Sequence, residues 1–134
     1  MLFRSNLGCM LTIVPLGKRA FFHHAHLMDD KMMFIIEGQV DYRFGEETYP
    51  VKAGVVLGAP PGGAEVAHQL INSGDVELKY LAFSTNVLTS VVVYPDSDKF
   101  LASAGIPGNG SPRDAAFRHL GKVGEGTADY FEGE

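Results

Sequence analysis

The strongest constraint on this chain is a rhythm of short apolar runs separated by turn-forming residues. From Leu11 to Tyr94 the runs are interrupted about every eight to twelve residues by Gly, Pro, Asn or Asp, a spacing typical of an all-β sandwich or barrel. Strands this short must pack against a second sheet to bury their apolar faces. We predict strands over Leu11–Val14, Ala20–His26, Met32–Glu37, Val40–Phe44, Glu47–Val51, Val55–Gly58, Ala67–Asn72, Val76–Ser84 and Ser90–Tyr94.

The length, charge and single cysteine narrow the class of protein. A chain of 134 residues is long enough for one domain around one hydrophobic core. No apolar run approaches the roughly 20 residues that span a bilayer. The formal charge of −5, with both signs interspersed, offers no basic face for nucleic acid. Because Cys9 is the only cysteine, no internal disulfide can form, which suits a reducing compartment. We expect a cytoplasmic protein with a buried thiol and a small-molecule partner, without nucleic-acid or membrane binding.

The run from Lys31 to Ile36 is apolar on both faces of a strand. Met33 and Ile35 alternate with Met32, Phe34 and Ile36, so that only one of the two sets can line a barrel. The other set needs a second cover. A packed neighbouring sheet and a homodimer interface both satisfy this requirement.

The chain changes character after Pro95. Residues 96–134 are rich in Gly, Ser, Ala and charge, and they contain few large apolar side chains. We therefore divide the chain into a barrel, residues 1–95, and an irregular C-terminal extension, residues 96–134. A short helix over Pro112–Leu120, capped by Ser111, is predicted within the extension. The extension either docks on the barrel as a strap or is partly mobile.

Three histidines are the candidate metal ligands. His24 and His26 are two residues apart in a predicted strand, so their rings leave the same face, whereas His23 points the other way. Neutral imidazoles are common ligands of divalent ions, with bonds of about 2.1 Å to zinc. His68 lies in another predicted strand, which a closed barrel would bring opposite the first pair. Alternatively, each of these histidines is a surface residue or a hydrogen-bonded core residue.

The arrangement of glycines around these histidines resembles the two sequence motifs of the cupin superfamily. The similarity extends from about Leu16 to Ser84, with three extra residues before the second-motif histidine. The later stretch that begins at Tyr94 resembles a group of small single-domain cupins, most of which lack an assigned reaction. The matching residues are Gly17, His24, His26 and Gly38 in the first motif and Gly54, Pro60, Gly62, His68 and Asn72 in the second.

The resemblance implies a cupin jelly-roll barrel, also called a double-stranded β-helix, with an irregular C-terminal extension. It also implies a divalent metal ion on His24, His26 and His68, without distinguishing Zn, Ni, Fe, Mn and Cu. The expected chemistry is that of an oxygenase, isomerase or decarboxylase acting on a small oxygenated molecule, and a homodimer is expected. We add Lys31 and Tyr42 as candidate pocket or ligand-binding residues.

One departure from the motif affects the metal site directly. The glutamate that commonly serves as a fourth ligand is replaced by Lys31. An ammonium about 4 Å from a divalent ion, at an effective dielectric near 20, costs roughly 8 kcal/mol, whereas structural zinc sites bind with about 10–16 kcal/mol. Metal binding therefore requires Lys31 to turn away, to lie farther off or to be deprotonated. Asp29 or Asp30 is a candidate replacement carboxylate. The alternative is a metal-free cup in which Lys31 recognises an anionic ligand or acts as an amine nucleophile after burial lowers its pKa. The rival function is a non-catalytic small-molecule-binding or sensor module with Lys31 in place of the usual glutamate.

Overall fold

The computed structural model describes residues 6–107 and 112–133, and within these ranges the chain is almost entirely β-structure. The strand bounds follow the apolar runs closely, usually to within one to three residues. The strands are β1 (Leu7–Val14), β2 (Ala25–His26), β3 (Lys31–Glu37), β4 (Gln39–Phe44), β5 (Glu47–Lys52), β6 (Val56–Ala59), β7 (His68–Asn72), β8 (Leu78–Thr85), β9 (Thr89–Tyr94), β10 (Lys99–Ala104) and β11 (Phe117–Lys122).

The strands form three antiparallel sheets. The first sheet has the order β1-β8-β3-β6, the second β5-β4-β7 and the third β11-β10-β9-β2. Neighbours in each sheet are mostly distant in sequence, so the chain crosses repeatedly between the sheets. The sheets do not close into one continuous ladder, yet the arrangement is that of a jelly roll, and the predicted all-β fold class is confirmed.

The hydrophobic core lies between the first and second sheets. Met33 and Ile35 of β3 and Tyr80 of β8 are at most 3% exposed and pack with Val40 of β4 and Leu70 of β7. Along β3 the buried residues alternate with exposed ones, as expected for a strand with one face on the core. The period of two in the sequence therefore sets which side of each sheet faces inward.

A glycine and a buried asparagine stabilise two of the turns between the strands. Gly38 joins β3 to β4 with a φ of +98°, and a Cβ there would lie 3.1 Å from the Glu77 carbonyl oxygen, so only glycine fits without strain. The buried Asn72 amide at the end of β7 donates to the carbonyls of Val14 and Val76, each at 2.9 Å. Asn72 thus ties the β7–β8 turn to β1.

One predicted strand and one predicted helix differ from the structure. Only Ala25–His26 of the predicted strand Ala20–His26 is a strand, because the chain there crosses from the second sheet to the third. The predicted helix over Pro112–Leu120 is wrong: Pro112–Asp114 is a single 3-10 turn, and Phe117–Lys122 is a strand. Ser111, its predicted cap, lies outside the described residues.

The C-terminal extension continues the third sheet. β10 pairs along its whole length with β9 on one side and β11 on the other. Residues 99–104 are therefore hydrogen-bonded to β9. None of the helices that the structure describes has the length and apolar character needed to cross a membrane.

Cys9 is exposed, so the prediction of a buried thiol is wrong. It lies in β1, and its side chain points away from the core together with those of Leu11 and Ile13. The outward residues of β3 are likewise uncovered, with Met32 52% exposed. No neighbouring sheet covers this face within the described parts of the chain.

Candidate functional site

A cavity of about 420 Å³ opens between the sheets, and all three predicted metal ligands line it. Its walls are mainly apolar and come from every sheet, with Met33 and Tyr80 from the first, Leu70 from the second, and Val92 and Leu101 from the third. The charged and imidazole groups on the wall are His24, His26, Asp29, Lys31 and His68.

His24 and His68 face each other directly. The two residues form an isolated antiparallel bridge, in which the His68 amide donates to the His24 carbonyl at 2.8 Å and the His24 amide donates back at 3.2 Å. Their ring centroids are 4.6 Å apart. The distant histidine is therefore brought to the first pair by backbone pairing, as the sequence motifs implied.

His26 is held by a buried carboxylate. Its Nδ1 donates to Asp29 Oδ2 at 2.8 Å, and the Ser90 hydroxyl donates to the same oxygen at 3.0 Å. The His26 Nε2 is buried and has no hydrogen-bond partner. The His26 ring centroid is 5.1 Å from that of His24. Because Nδ1 donates to Asp29, Nε2 is the ring nitrogen of His26 that is left for a ligand or a metal ion.

His24 is oriented in the same way by a backbone group. Its Nδ1 donates to the Phe22 carbonyl at 2.7 Å, which leaves Nε2 as the ring nitrogen able to accept or to bind a metal. Burial lowers the pKa of His24 to about 3, and the neighbouring His68 adds to this effect. Burial, followed by the charge of Lys31, lowers the pKa of His68 to about 4. Both rings are therefore neutral at physiological pH, as metal binding requires.

Lys31 lies on the cavity wall with the histidines. Burial lowers the pKa of the Lys31 ammonium, and the Asp29 carboxylate partly opposes this shift. Its charge acts on both His24 and His68. The residue that replaces the usual glutamate is thus inside the cup, and the lowered pKa makes deprotonation easier than for a surface lysine.

The donor set partly fits a metal ion. Neutral His24 and His68 rings lie 4.6 Å apart, and His26 has a buried nitrogen without a partner, which suits ligation by imidazole. Nevertheless, the described residues contain no group of three His, Cys, Asp or Glu side chains that is already arranged around one metal position. The fit is therefore one of chemistry and proximity, and binding would require the rings to adjust.

The remaining candidate residues do not all lie where the sequence predicted them. Tyr42, expected in the pocket, lies instead in the hydrophobic core, 6% exposed, where its hydroxyl donates to the Gly58 carbonyl at 2.8 Å. Asp30 is exposed, and its amide donates to the Thr85 hydroxyl. Asp29, considered as a replacement ligand, instead supports His26. Sequence spacing does not identify Ser90 as a site residue, because its contact with Asp29 joins residues 61 positions apart.

The chain matches the family model described as a cupin domain over residues 10–84. The chain belongs to the cupin family. Cupins often bind a metal ion, and family members bind small-molecule ligands or substrates. The matched segment contains all three cavity histidines and both sequence motifs. No curated protein gives a significant match to this cupin.

Solved structures resemble this cupin over different lengths. A candidate sugar phosphate isomerase from Acidithiobacillus ferrooxidans has a TM-score of 0.78 at 20% identity, covering 92% of this chain and 72% of that one. A sugar phosphate isomerase of the cupin superfamily from Silicibacter pomeroyi has a TM-score of 0.77 at 19% identity, covering 94% and 73%. A predicted oxalate decarboxylase from Thermotoga maritima has a TM-score of 0.53 at 23% identity, covering 59% and 65%. At these identities the likeness shows the fold.

Proposed function

We propose that His24, His26 and His68 bind one divalent metal ion in the cavity, and that this cupin acts there on a small oxygenated molecule. The observation that carries the proposal is the buried Nε2 of His26, which lacks a hydrogen-bond partner. Leaving a buried acceptor unsatisfied costs about 1–3 kcal/mol. A cation shared with the neutral His24 and His68 rings would satisfy it.

The support around His26 favours this proposal. Metal-binding histidines commonly donate their second ring nitrogen to a carboxylate, which fixes the tautomer and makes the ligand more basic. Asp29 has this relation to His26, and Ser90 in turn hydrogen-bonds to Asp29. Three imidazoles are compatible with Zn, Ni, Fe, Mn or Cu. When bound, the ion would polarise an oxygen atom of the substrate.

The size and lining of the cavity indicate the kind of molecule. Its volume of about 420 Å³ lies within the roughly 300–1,000 Å³ of small-molecule sites. Apolar walls would hold and desolvate the ligand, while Lys31 and the Ser90 hydroxyl supply polar contacts. Of the oxygenase, isomerase and decarboxylase classes, we would test isomerase first, because two solved structures that match over nine-tenths of the chain carry that name.

A second candidate function follows from Lys31. A cation inside the cup opposes a bound metal, and the described residues hold no preformed group of three ligands. In this alternative, Lys31 binds the anionic group of a small molecule in a metal-free cavity, without turnover. The cupin would then be a binding or sensor module.

Metal analysis of untagged protein distinguishes the two functions. The first predicts close to one metal ion per chain after incubation with Zn, Ni, Fe or Mn, and predicts that His68→Ala abolishes uptake. His119→Ala is the matched control, because His119 is an exposed residue of β11 and should not affect uptake. If the wild-type protein takes up no metal but is stabilised by small anions in a thermal-shift assay, the second function is supported.

We also propose the residue roles given above for the cup, a cytoplasmic location and a homodimer. We further propose that residues 1–95 form the barrel and residues 96–134 a C-terminal extension. The single cysteine supports the cytoplasmic location, because thiols stay reduced in the cytoplasm and a lone cysteine forms no internal disulfide.

A further inference from the structure

The wall of the cavity has two chemically different regions. The first region carries the charged and imidazole groups of the proposed site, which are His24, His26, Asp29, Lys31 and His68. The second region consists mainly of hydrocarbon and aromatic side chains. We define this apolar wall as Met10, Met33, Leu70, Tyr80, Ala82, Val92, Leu101 and Ile106. A ligand that fills the cavity must therefore suit both regions.

In the first sheet, the strand register places the two regions next to each other. Lys31 of β3 lies opposite Ser84 of β8, and both residues line the cavity. Two residues farther along, Met33 lies opposite Ala82, and Ala82 lies opposite Met10 of β1. Because two residues of a strand span about 7 Å, the apolar wall begins one such step from Lys31.

The third sheet shows the same juxtaposition. His26 of β2 lies opposite Val92 of β9, and Val92 lies opposite Leu101 of β10. All three side chains line the cavity, and residues directly opposite on neighbouring strands lie about 4.5–5.5 Å apart. A proposed metal ligand therefore stands in one row with two apolar side chains. A molecule that reaches the imidazoles must also lie against hydrocarbon.

The charge of the wall favours an anion. Lys31 is half-buried, and none of the ion pairs between residues that the structure describes includes it. The carboxylate of the wall, Asp29, already accepts hydrogen bonds from His26 and Ser90 through Oδ2. Burying an unpaired charge is costly, so a ligand carboxylate beside Lys31 would stabilise the loaded cavity. An ion on the histidines would add positive charge and strengthen this preference.

Several polar side chains of the wall are already hydrogen-bonded within the protein. The Gln69 amide donates to the Phe21 carbonyl at 2.7 Å, and the Thr85 hydroxyl accepts from the Asp30 amide at 3.0 Å. A polyhydroxylated ligand would therefore place many of its hydroxyl groups against the apolar wall. A hydroxyl group that loses water without gaining a partner is unfavourable, whereas burying hydrocarbon there is favourable. The cavity thus discriminates against carbohydrate-like ligands.

We propose that the natural ligand is a small carboxylate with an apolar substituent, of the kind found in branched or aromatic oxo acids. The ammonium of Lys31 pairs with the carboxylate, and the substituent packs against the apolar wall, which includes Met33 and Leu101. This inference rests on the proposed function only in placing the ligand in this cavity. It requires neither a bound metal nor turnover, so it stands or fails separately from the metal site.

Affinities for three carboxylates test the ligand class without any variant. Isothermal titration calorimetry of the full chain, with metal removed and again with zinc added, compares phenylpyruvate, pyruvate and gluconate. Pyruvate lacks the apolar substituent, and gluconate carries hydroxyl groups in its place. Phenylpyruvate should bind about tenfold tighter or more than either, in both forms of the protein, because only its substituent buries hydrocarbon. Tighter binding of gluconate, equal binding of all three or binding of none overturns the proposal.

Two variants assign the carboxylate and the substituent to their regions of the wall. Lys31→Met should weaken phenylpyruvate binding about tenfold or more, because the carboxylate loses a charged partner. Lys99→Met is the matched control, because Lys99 is an exposed lysine of β10 outside the cavity wall and should not affect binding. Leu101→Ser should reduce the preference for phenylpyruvate over gluconate. Wild-type affinity for phenylpyruvate in Lys31→Met, or an unchanged preference in Leu101→Ser, contradicts the proposal.

The same titrations separate this inference from the proposed metal site. A preference for phenylpyruvate in a protein that takes up no zinc would support the ligand class and remove the metal site. Zinc uptake with a preference for gluconate would support the metal site and overturn the ligand class.

Discussion

Replacing Asp29 should weaken metal binding without removing any proposed ligand. Asp29 is 7% exposed, and its Oδ2 accepts hydrogen bonds from His26 Nδ1 and Ser90 Oγ. Loss of a carboxylate behind a metal-binding histidine typically lowers affinity about 10–100-fold, equivalent to about 1.4–2.7 kcal/mol. For Asp29→Ala we expect a loss in this range, because the His26 ring can then rotate or change tautomer.

The same change should also affect the metal-free protein. Asp29→Ala leaves two buried donors unpaired, at about 1–3 kcal/mol each. It also removes Asp29 Oδ1, which is buried and unpartnered, so part of this cost is offset. We expect a net loss of about 1–3 kcal/mol in the free energy of unfolding, measured by urea denaturation with metal excluded.

Two further variants separate orientation of the ring from general destabilisation. Asp29→Asn keeps a carbonyl oxygen for the His26 Nδ1 proton and should lose less affinity than Asp29→Ala. Ser90→Ala removes the other hydrogen bond to the same carboxylate oxygen and should leave metal affinity within about threefold of wild type. Isothermal titration calorimetry gives the affinities, and nitrogen NMR of the imidazole rings gives the tautomer of His26 in the apoprotein. Wild-type metal affinity in Asp29→Ala would refute the reasoning.

Three other changes test the cavity and the fold. Lys31→Met removes a positive charge from the cavity and should raise metal affinity at least tenfold in a competition assay with a chelator; an unchanged affinity would mean that Lys31 is deprotonated or distant in the metal-bound protein. Asn72→Ala leaves buried backbone groups unpaired and should lower the melting temperature through a loss of about 1–3 kcal/mol, whereas near-wild-type melting would contradict this role. The hydrogen bond from Arg43 lowers the pKa of Asp96 below its ordinary value of 3.8. The ion pair therefore stabilises the folded state above pH 3.8, and this contribution disappears as the pH falls through the lowered pKa. Both side chains are partly exposed, 33% and 54%, so Asp96→Asn should cost less than about 1 kcal/mol at pH 7. Its stability in urea denaturation should converge with that of the wild type as the pH falls through the lowered pKa of Asp96.

Local pattern was sufficient to predict most strands of this cupin. The alternation of Met33 and Ile35 with Met32 and Phe34 correctly separates the core side of β3 from its outward side. The motif glycines and histidines correctly predicted a jelly roll. The three histidines line one cavity, and their role as metal ligands stays a prediction. These features depend on residues close in sequence or on spacings that the fold itself requires.

The features that the sequence did not predict depend on contacts between distant residues or on how deeply a side chain is buried in the fold. Phe117–Lys122 has no clear strand pattern, and it becomes β11 by pairing with β10. The alternation of side chains along a strand places Tyr42 on the inward side of β4. It does not show whether an inward side chain at this position lines the cavity or packs in the hydrophobic core. The role of Asp29 depends on the conformation of the loop after His26 and on the distant Ser90.

The cavity wall is shared between the segment that carries the histidines and the strands that follow it. Leu101, Ser103 and Ile106 form part of the lining, and they come from β10 or just beyond it. A molecule inside the cavity would therefore bridge both parts of the chain, and its presence should protect β10 and β11 against proteolysis. Substitutions at these three positions could also change which molecules fit while leaving every imidazole intact, which makes this strand a natural place to redesign ligand selectivity.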